Sequence, residues 1–339
     1  MSDVDPFPTP SRSRLSTAWL AVALLWPVAL LNYLDRQMLA AMKFSVMADI
    51  TTIENEANWG YMLAQFKWVY AFLSPIGGYL ADRFSRRYTI CASLFVWSAV
   101  TWATGHVTTY NELLWTRTLM GFSEAFYIPA ALALIADYHV GSTRSRAVGI
   151  HQMAIYCGVI VGGFSGYVAE SPDLGWRFAF DLTGLCGIIY ALPLLYFLRD
   201  APRRKSSTSR DDRPSPLRAA GELLTNFSFL LLVLYFTLPA LAGWVVRDWG
   251  PVILKDKFEI GQGIAGVSAT LYWQVAAIIG AVLGGWLADR WMRNSIRGRI
   301  YVSALGMALI IPSLFGVGNA PTLFTAILFL AMFGLGWGF

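Results

Sequence analysis

Two pairs of ionisable residues stand where ionisable residues are expensive. Asp35 and Arg36 interrupt the apolar run "AWLAVALLWPVALLNYLDRQMLAAM", and Arg117 and Glu124 interrupt "LLWTRTLMGFSEAFYIPAALALI". A charged side chain at bilayer depth costs at least about 2.5–3.5 kcal/mol. Helical spacing groups them. Asn32, Asp35 and Arg36 fall at i, i+3 and i+4 and share one arc. Arg117 and Glu124 are two turns apart and share another. A carboxyl group is drawn to its neutral form by burial and to its ionised form by a nearby guanidinium, so it can load and release a proton. A guanidinium keeps its charge and offers a planar fork that grips a carboxylate at two points. This chemistry assigns Asp35 and Glu124 to proton binding. It assigns Arg36 and Arg117 to an anionic group, or to a carboxylate partner that is released when an anion arrives. The plainer alternative is that Asp35–Arg117 or Glu124–Arg36 are ion pairs that fix helix packing.

Further residues are candidates for the same cavity. Asn32, Tyr33, Tyr127 and Trp273 are expected to line it, as are Tyr70 and Tyr156. Lys67 either adds positive charge there or extends outward along its aliphatic stem. His151 reads as packing rather than as a proton relay, and Arg177 and Asp181 as a local pair. The three histidines, His106, His139 and His151, are dispersed without metal-ligand spacing. No G-x-S-x-G or phosphate loop is present. An enzyme is therefore not expected, and no catalytic residue, metal ligand or cofactor is assigned. Cys91, Cys157 and Cys186 lie in apolar helical stretches and read as buried small hydrophobes rather than a disulfide framework.

The elements that must hold these residues are membrane helices. The 339-residue chain is 56% hydrophobic and 14% charged, against about 25% charge in a soluble domain. Apolar runs of helical length fall at about 18–44, 59–81, 88–106, 112–137, 146–169, 176–198, 223–247, 264–288, 300–317 and 321–339. These predict an all-α membrane protein with ten spans. Arg12 and Arg14 before the first run give it a superficial likeness to a signal peptide, but no small-residue cleavage site follows, so an uncleaved first span is expected. With a cytoplasmic N-terminus, eighteen Lys and Arg fall in inner segments and five (Lys43, Arg177, Arg247, Lys255, Lys257) in outer ones. That asymmetry obeys the positive-inside rule and supports the span count. The net charge of +5 is thus a loop property and gives no sign of nucleic-acid binding.

Residues 199–222, "RDAPRRKSSTSRDDRPSPLRAAGE", have linker composition. They divide the chain into a tail (1–17), a six-helix half (18–198), the cytoplasmic linker (199–222) and a second half (223–339). "GGYLADRFSRR" at 77–87 returns as "GGWLADRWMRN" at 284–294, offset by 207 residues, after the second span of each half. Such parallel repeats are one carrier plan. Because only four spans are visible in the second half, two further helices are expected beyond Phe339, with a ten-span protein as the alternative. In the repeated loop, Gly78 and Gly285 are expected to let helices approach. Asp82 and Asp289 are expected to accept from helix N-termini or to pair with arginines across the half. With Arg83, Arg86, Arg87 and Arg290 they form a candidate conformational latch, made in one state and broken in another.

On these residues the chain resembles the major facilitator superfamily, whose loop signature reads G-x-L-A-D-R-x-G-R-R. "GYLADRFSRR" matches it except that Ser85 replaces the second glycine, and "GWLADRWMRN" is a weaker copy. The resemblance runs from about 18 to 339 and implies two six-helix halves, with alternating access. "LNYLDRQ", "RTLMGFSEAFYIPAAL", "GWRFAFDLTG" and "DWGPVIL" (expected to follow the seventh span) are similar to the anion:cation symporter group, which carries hexuronates, galactonate and other organic acids. The first-span motif and "EAFYIPAALALIAD" also resemble spinster-type lipid carriers. In the fifth span, "GIHQMAIYCGVIVGGFSG" partly resembles the superfamily's antiporter motif. It departs from that motif at Gly163, where proline is expected, and at Tyr167, where glycine is expected. Gly149, Gly158, Gly162 and Gly166 there read as close-packing positions.

The expectation is a proton-coupled carrier of a small organic anion in a bacterial inner membrane, working as a monomer. The substrate, protons and the bilayer would be its partners. A spinster-like lysolipid carrier and a non-transporting sensor on the same scaffold are the alternatives.

Overall fold

The computed structural model describes residues 12–140, 143–201, 216–293 and 295–339; the side chains of residues 12–15, 82 and 216–220 lie outside that description. The regular secondary structure among the described residues is all α-helix, with no strand. In chain order the helices are α1 (Arg12–Ala41), α2 (Lys43–Asp49), α3 (Glu56–Arg83), α4 (Arg86–Thr104), α5 (Tyr110–Glu124), α6 (Tyr127–Tyr138), α7 (Arg144–Gly163), α8 (Ser165–Glu170) and α9 (Gly175–Phe197). They continue with α10 (Pro216–Thr225), α11 (Phe227–Phe258), α12 (Gln262–Met292), α13 (Gly298–Asn319) and α14 (Leu323–Gly338). Seven rods, counting α5/α6 and α7/α8 as one each, are long and apolar enough to cross a membrane. The remaining expected spans are α3, α4 and the shorter apolar α14.

Two stretches differ from expectation. "DWGPVIL" is part of α11, which continues through Pro251 to Phe258. Proline lacks the N–H that bonds back four residues and usually bends a helix rather than ending it when packing holds both sides. The end comes instead at Glu259, in the left-handed conformation at φ 52°. The last part of the expected linker is the helix α10, and linker residues 202–215 lie outside the described residues.

The chain divides into two compact units. The first runs to Pro202 and includes Ile260–Val267, the start of α12; the second holds Arg203–Glu259 and Ser268–Phe339. In the first unit, glycines set how closely helices meet. A Cβ at Gly158 would collide with the Leu30 carbonyl, and one at Gly162 would lie 2.6 Å from Gln37 Cβ and 2.8 Å from the Leu34 oxygen. The backbone of α1 therefore rests directly on α7. Leu30, Leu34 and Gln37 occupy one face of α1, so the arc carrying Asn32, Asp35 and Arg36 is turned the opposite way. Gly149, the other end of the expected stripe, has open space at its Cβ. A Cβ on Gly166 would lie 2.6 Å from the Gln262 carbonyl oxygen, and Glu170 accepts from the N–H groups of Gln262 (2.5 Å) and Gly263 (3.1 Å), capping the start of α12.

A capping box at Thr109 and Glu112 starts α5. The span breaks between Glu124 and Tyr127. Pro129 explains the break, since it supplies no N–H to the Ala125 carbonyl and its ring crowds that oxygen. Gly77 of α3 lies against this carbonyl, with a Cβ there falling 2.7 Å from the oxygen.

In the second unit, α13 and α14 meet at Gly306 and Gly336, each facing the other's carbonyl at 2.5–2.6 Å from a Cβ position. Trp273, Phe333 and Trp337 form an aromatic cluster with ring centroids 5.5–6.0 Å apart.

Candidate functional site

Arg117, Gly121 and Glu124 share one face of α5. A Cβ on Gly121 would stand 2.7 Å from the Phe66 carbonyl and 3.1 Å from Val69 Cβ, so α5 lies tight on α3. The α1 arc meets this pair: Asp35 interacts electrostatically with Arg117 and Glu124, and Arg36 with Glu124. Adjacent residues choose different partners. Arg36 Nε donates to Glu124 Oε2 at 2.6 Å. Asp35 turns to α4, where Thr101 Oγ1 donates to its Oδ2 at 2.9 Å. Arg117 Nη2 donates to Thr104 Oγ1 at 3.2 Å, one turn further along α4. Asn32 and Glu124 are 0% exposed, Asp35 2% and Arg117 3%.

The Arg36 guanidinium is walled by rings. Its central carbon lies 4.9 Å from the centroids of Tyr33 and Phe66 and 4.7 Å from that of Tyr70. Such contacts favour a desolvated cation. Polar capacity is left over around it. Asn32 Oδ1 and Nδ2, Asp35 Oδ1, Arg36 Nη2, Arg117 Nε and Glu124 Oε1 are buried without a hydrogen-bond partner among the described residues. Unsatisfied buried polar atoms are costly and cluster where a ligand is handled.

The expected alternative pairings resolve unevenly. Glu124–Arg36 is an ion pair, whereas neither carboxylate pairs with Arg117 among the described residues. Sequence reasoning missed Thr101, Thr104 and Phe66; no charge or period distinguishes them from other span residues. Lys67, next to Phe66 on α3, is half-buried. Tyr127 packs differently from a cavity-lining residue. Its ring stands against Trp97, its hydroxyl donates to the Leu25 carbonyl at 3.3 Å, and it lies 3.0 Å from His151 Nε2, inside the apolar core. Trp273 belongs to the second unit, fully buried in its aromatic cluster, with the Arg247 guanidinium 5.9 Å from its ring. Arg177 does not pair with Asp181. Its Nη2 and Nε reach Asp49 Oδ2 at 2.8 and 3.1 Å, and Nη1 donates to the Gly105 and Val107 carbonyls. Asp181 instead stands 3.5 Å from His106 Nδ1. Lys43, expected in an outer segment, is 1% exposed and ion-paired with Glu56. All three cysteines are free, and Cys186 is exposed rather than buried.

The loop signature engages acids outside itself. Arg86 pairs with Asp137 at the end of α6 and donates to the Ala133 carbonyl at 3.0 Å. Asp200, after α9, accepts from the Arg87 N–H at 2.8 Å and from the Ser85 hydroxyl. Arg87 also donates to the Leu195 carbonyl, and Arg83 stacks on Tyr79 at 4.3 Å. Ser85, where the family signature has glycine, is the N-cap of α4 and accepts from the Tyr88 N–H at 3.3 Å. The Asp82 side chain lies outside the described residues. In the second copy Asp289 and Arg290 are exposed, and Arg290 stands 5.8 Å from the Trp286 ring. Close approach falls one residue earlier than expected. Gly77 and Gly284 are the crowded positions, whereas a Cβ at Gly78 would be 4.0 Å from its nearest neighbour and one at Gly285 would meet nothing.

Fold and charge cluster together define an all-helical, multi-pass membrane protein with ionisable residues paired inside its first unit. The sequence profile of the Major Facilitator Superfamily matches residues 25–339, and the chain belongs to that superfamily. It is 30% identical over 335 residues to Protein spinster homolog 1 of Xenopus laevis, covering 91% of this chain and 60% of the relative. It is 30% identical over 342 residues to the human Protein spinster homolog 1, covering 94% of this chain and 61% of that protein. The chain thus spans about three-fifths of the length of the curated relatives it matches. Among solved structures it resembles a bacterial homolog of the human lysosomal transporter Spinster in an inward-facing, unoccupied conformation. The TM-score is 0.78 at 22% identity, covering 97% of this chain and 74% of the other. A D-xylose-proton symporter matches with a TM-score of 0.67 at 21% identity over 96% of this chain and 81% of its own. At these identities the structures speak for the fold alone. Both curated relatives named here carry the spinster name, the group that the sequence motifs place beside the anion:cation symporters.

Proposed function

We propose that this chain forms part of a secondary transporter that moves a small organic anion by alternating access, coupled to proton symport. One observation carries the reading: Asp35 and Arg36, adjacent in sequence, have separate buried partners. Asp35 is held by a neutral hydroxyl, with Oδ1 left over for a proton. Arg36 is neutralised by Glu124, an ion pair that an incoming carboxylate can displace because it offers the same chemistry. Glu124, once released, takes the coupling proton. Arg117 adds a second positive charge, and Asn32 and Tyr33 the polar rim. The protein would sit in a bacterial inner membrane with a cytoplasmic N-terminus, and the repeated loop would act as the latch.

A spinster-type carrier of an amphipathic lysolipid is the second reading. The names of the matched relatives favour it, as do the three rings around Arg36, which suit a ligand with both charged and apolar parts. The test is uptake by proteoliposomes holding the full-length protein, with sugar acids, simple carboxylates and lysolipids, with and without a proton gradient. Gradient-driven accumulation of a sugar acid supports the first reading. Lysolipid movement without carboxylate uptake replaces it with the second. Uptake of a neutral sugar alone removes the role given to the arginines.

A further inference from the structure

Thr101 and Thr104 are fully buried on α4, one turn apart, and each engages one of the charges that the Arg36–Glu124 pair leaves out. Arg117 and Asp35 carry opposite charges and influence each other electrostatically, so direct pairing is the obvious outcome. It does not occur among the described residues. Thr104 accepts from Arg117 while its own proton goes to the Val100 carbonyl at 2.8 Å. Thr101 spends its proton on Asp35 Oδ2.

We infer that the α4 threonines are positioning residues that keep Asp35 and Arg117 apart, so that a proton rather than Arg117 neutralises Asp35. The inference rests on the proton-binding role given above to Asp35. A hydroxyl suits this task because it serves both states of the acid. It donates to Oδ2 of the carboxylate, and it goes on donating to the same oxygen, then a carbonyl, once Oδ1 carries the proton. A second arginine or lysine at position 101 would neutralise Asp35 permanently. A valine would leave Oδ2 without a donor, and a buried acceptor without one is expensive. When a proton arrives, the new O–H bond forms at Oδ1, the oxygen that Thr101 does not hold.

The other groups facing Asp35 leave this assignment to α4. Charge comes from Glu124 and Arg117, both on α5, while Arg36, next to it on its own helix, is paired with Glu124. From α9 the Thr183 hydroxyl also reaches it, with a proton shared with the Ala179 carbonyl at 2.8 Å, whereas the Thr101 proton is directed at Asp35. The α7 surface against α1 is glycine at 158 and 162.

The experiment is infrared difference titration of the carboxyl stretch in the full-length protein in lipid, with Asp35→Asn identifying the Asp35 band. The readout needs neither substrate nor transport. Thr101→Val is expected to displace the Asp35 titration midpoint by about one pH unit, the scale of one lost hydrogen bond to a charged group. Thr101→Ser is expected to titrate as wild type. If Thr101→Val does not fold, Thr101→Ala is read in the same way. An unchanged midpoint in the hydroxyl-free variant overturns the inference. So does a Ser variant displaced as far as Val, or the lack of any Asp35-dependent band. If Asp35 titrates through Thr101 and accumulation still ignores the proton gradient, the transport reading falls and this one stands.

Discussion

Arg36 and Glu124, from α1 and α5, form a buried ion pair at 2.6 Å, while Asp35, one residue away, turns to a threonine. The pair sits at a backbone break, because Glu124 is the last residue of α5 before the distortion at Pro129. Its energetics favour a release mechanism over simple cross-linking. A buried pair gains little net stability, but removing one partner strands the other charge at a cost of about 3–5 kcal/mol.

Glu124→Ala is therefore expected to destabilise the protein by that amount. Glu124→Gln keeps an acceptor for Arg36 Nε and is expected to fold. In proteoliposomes the Gln variant should lose proton-driven accumulation while retaining substrate exchange. Undiminished accumulation would remove Glu124 from the coupling route.

The Gly77–Gly78 pair separates packing from sequence signature. Gly77→Ala places a methyl 2.7 Å from the Ala125 carbonyl, whereas Gly78→Ala places one 4.0 Å from Pro129. Overpacking of this kind costs about 1–3 kcal/mol. Thermal melts in detergent should show Gly77→Ala shifted down and Gly78→Ala close to wild type. The repeat predicts the same order for Gly284→Ala, which meets Phe339 at 3.0 Å, and Gly285→Ala, which meets nothing.

Part of this arrangement is visible in the sequence. Long apolar runs and loop charges locate the helical rods, because membrane length and charge exclusion act on composition directly. The arcs holding Asp35, Arg36, Arg117 and Glu124 follow from helical period. Partner choice does not. Asp35 and Arg36 lie on one arc, and which of them meets Glu124 depends on how Gly158 and Gly162 seat α1 on α7. Thr101 and Thr104 look like any span threonine until α4 is packed. Asp137 and Asp200 lie far from the loop signature in sequence, so only the folded unit brings them to Arg86, Arg87 and Ser85. Tyr127 has the residue type of a cavity-lining group, but the face it occupies points to Trp97 and His151.

Ser85 offers a check on the loop. Ser85→Gly restores the family's residue but removes the N-cap of α4 and the hydroxyl donated to Asp200. Loss of a serine cap to glycine costs only a few tenths of a kcal/mol. Asp200→Ala removes the acceptor for both Ser85 and the Arg87 N–H, and is expected to cost about 1 kcal/mol. Melting temperatures should therefore order wild type, Ser85→Gly, Asp200→Ala from high to low. If Ser85→Gly is the less stable variant, Asp200 contributes little to the loop.

The two arginines should differ in their tolerance of lysine. Arg36 uses Nε on Glu124 and is enclosed by Tyr33, Phe66 and Tyr70. A lysine ammonium has no planar fork to grip a carboxylate at two points while stacking on rings. Among the described residues Arg117 makes one hydrogen bond, to a neutral hydroxyl, which an ammonium can also donate. Equilibrium binding of the transported anion to Arg36→Lys should weaken by about tenfold or more, the scale of one lost charge-assisted hydrogen bond. Arg117→Lys should bind within a few-fold of wild type. The reverse order would make Arg117 the anion-binding residue and leave the Arg36–Glu124 pair as a packing element of α1 and α5.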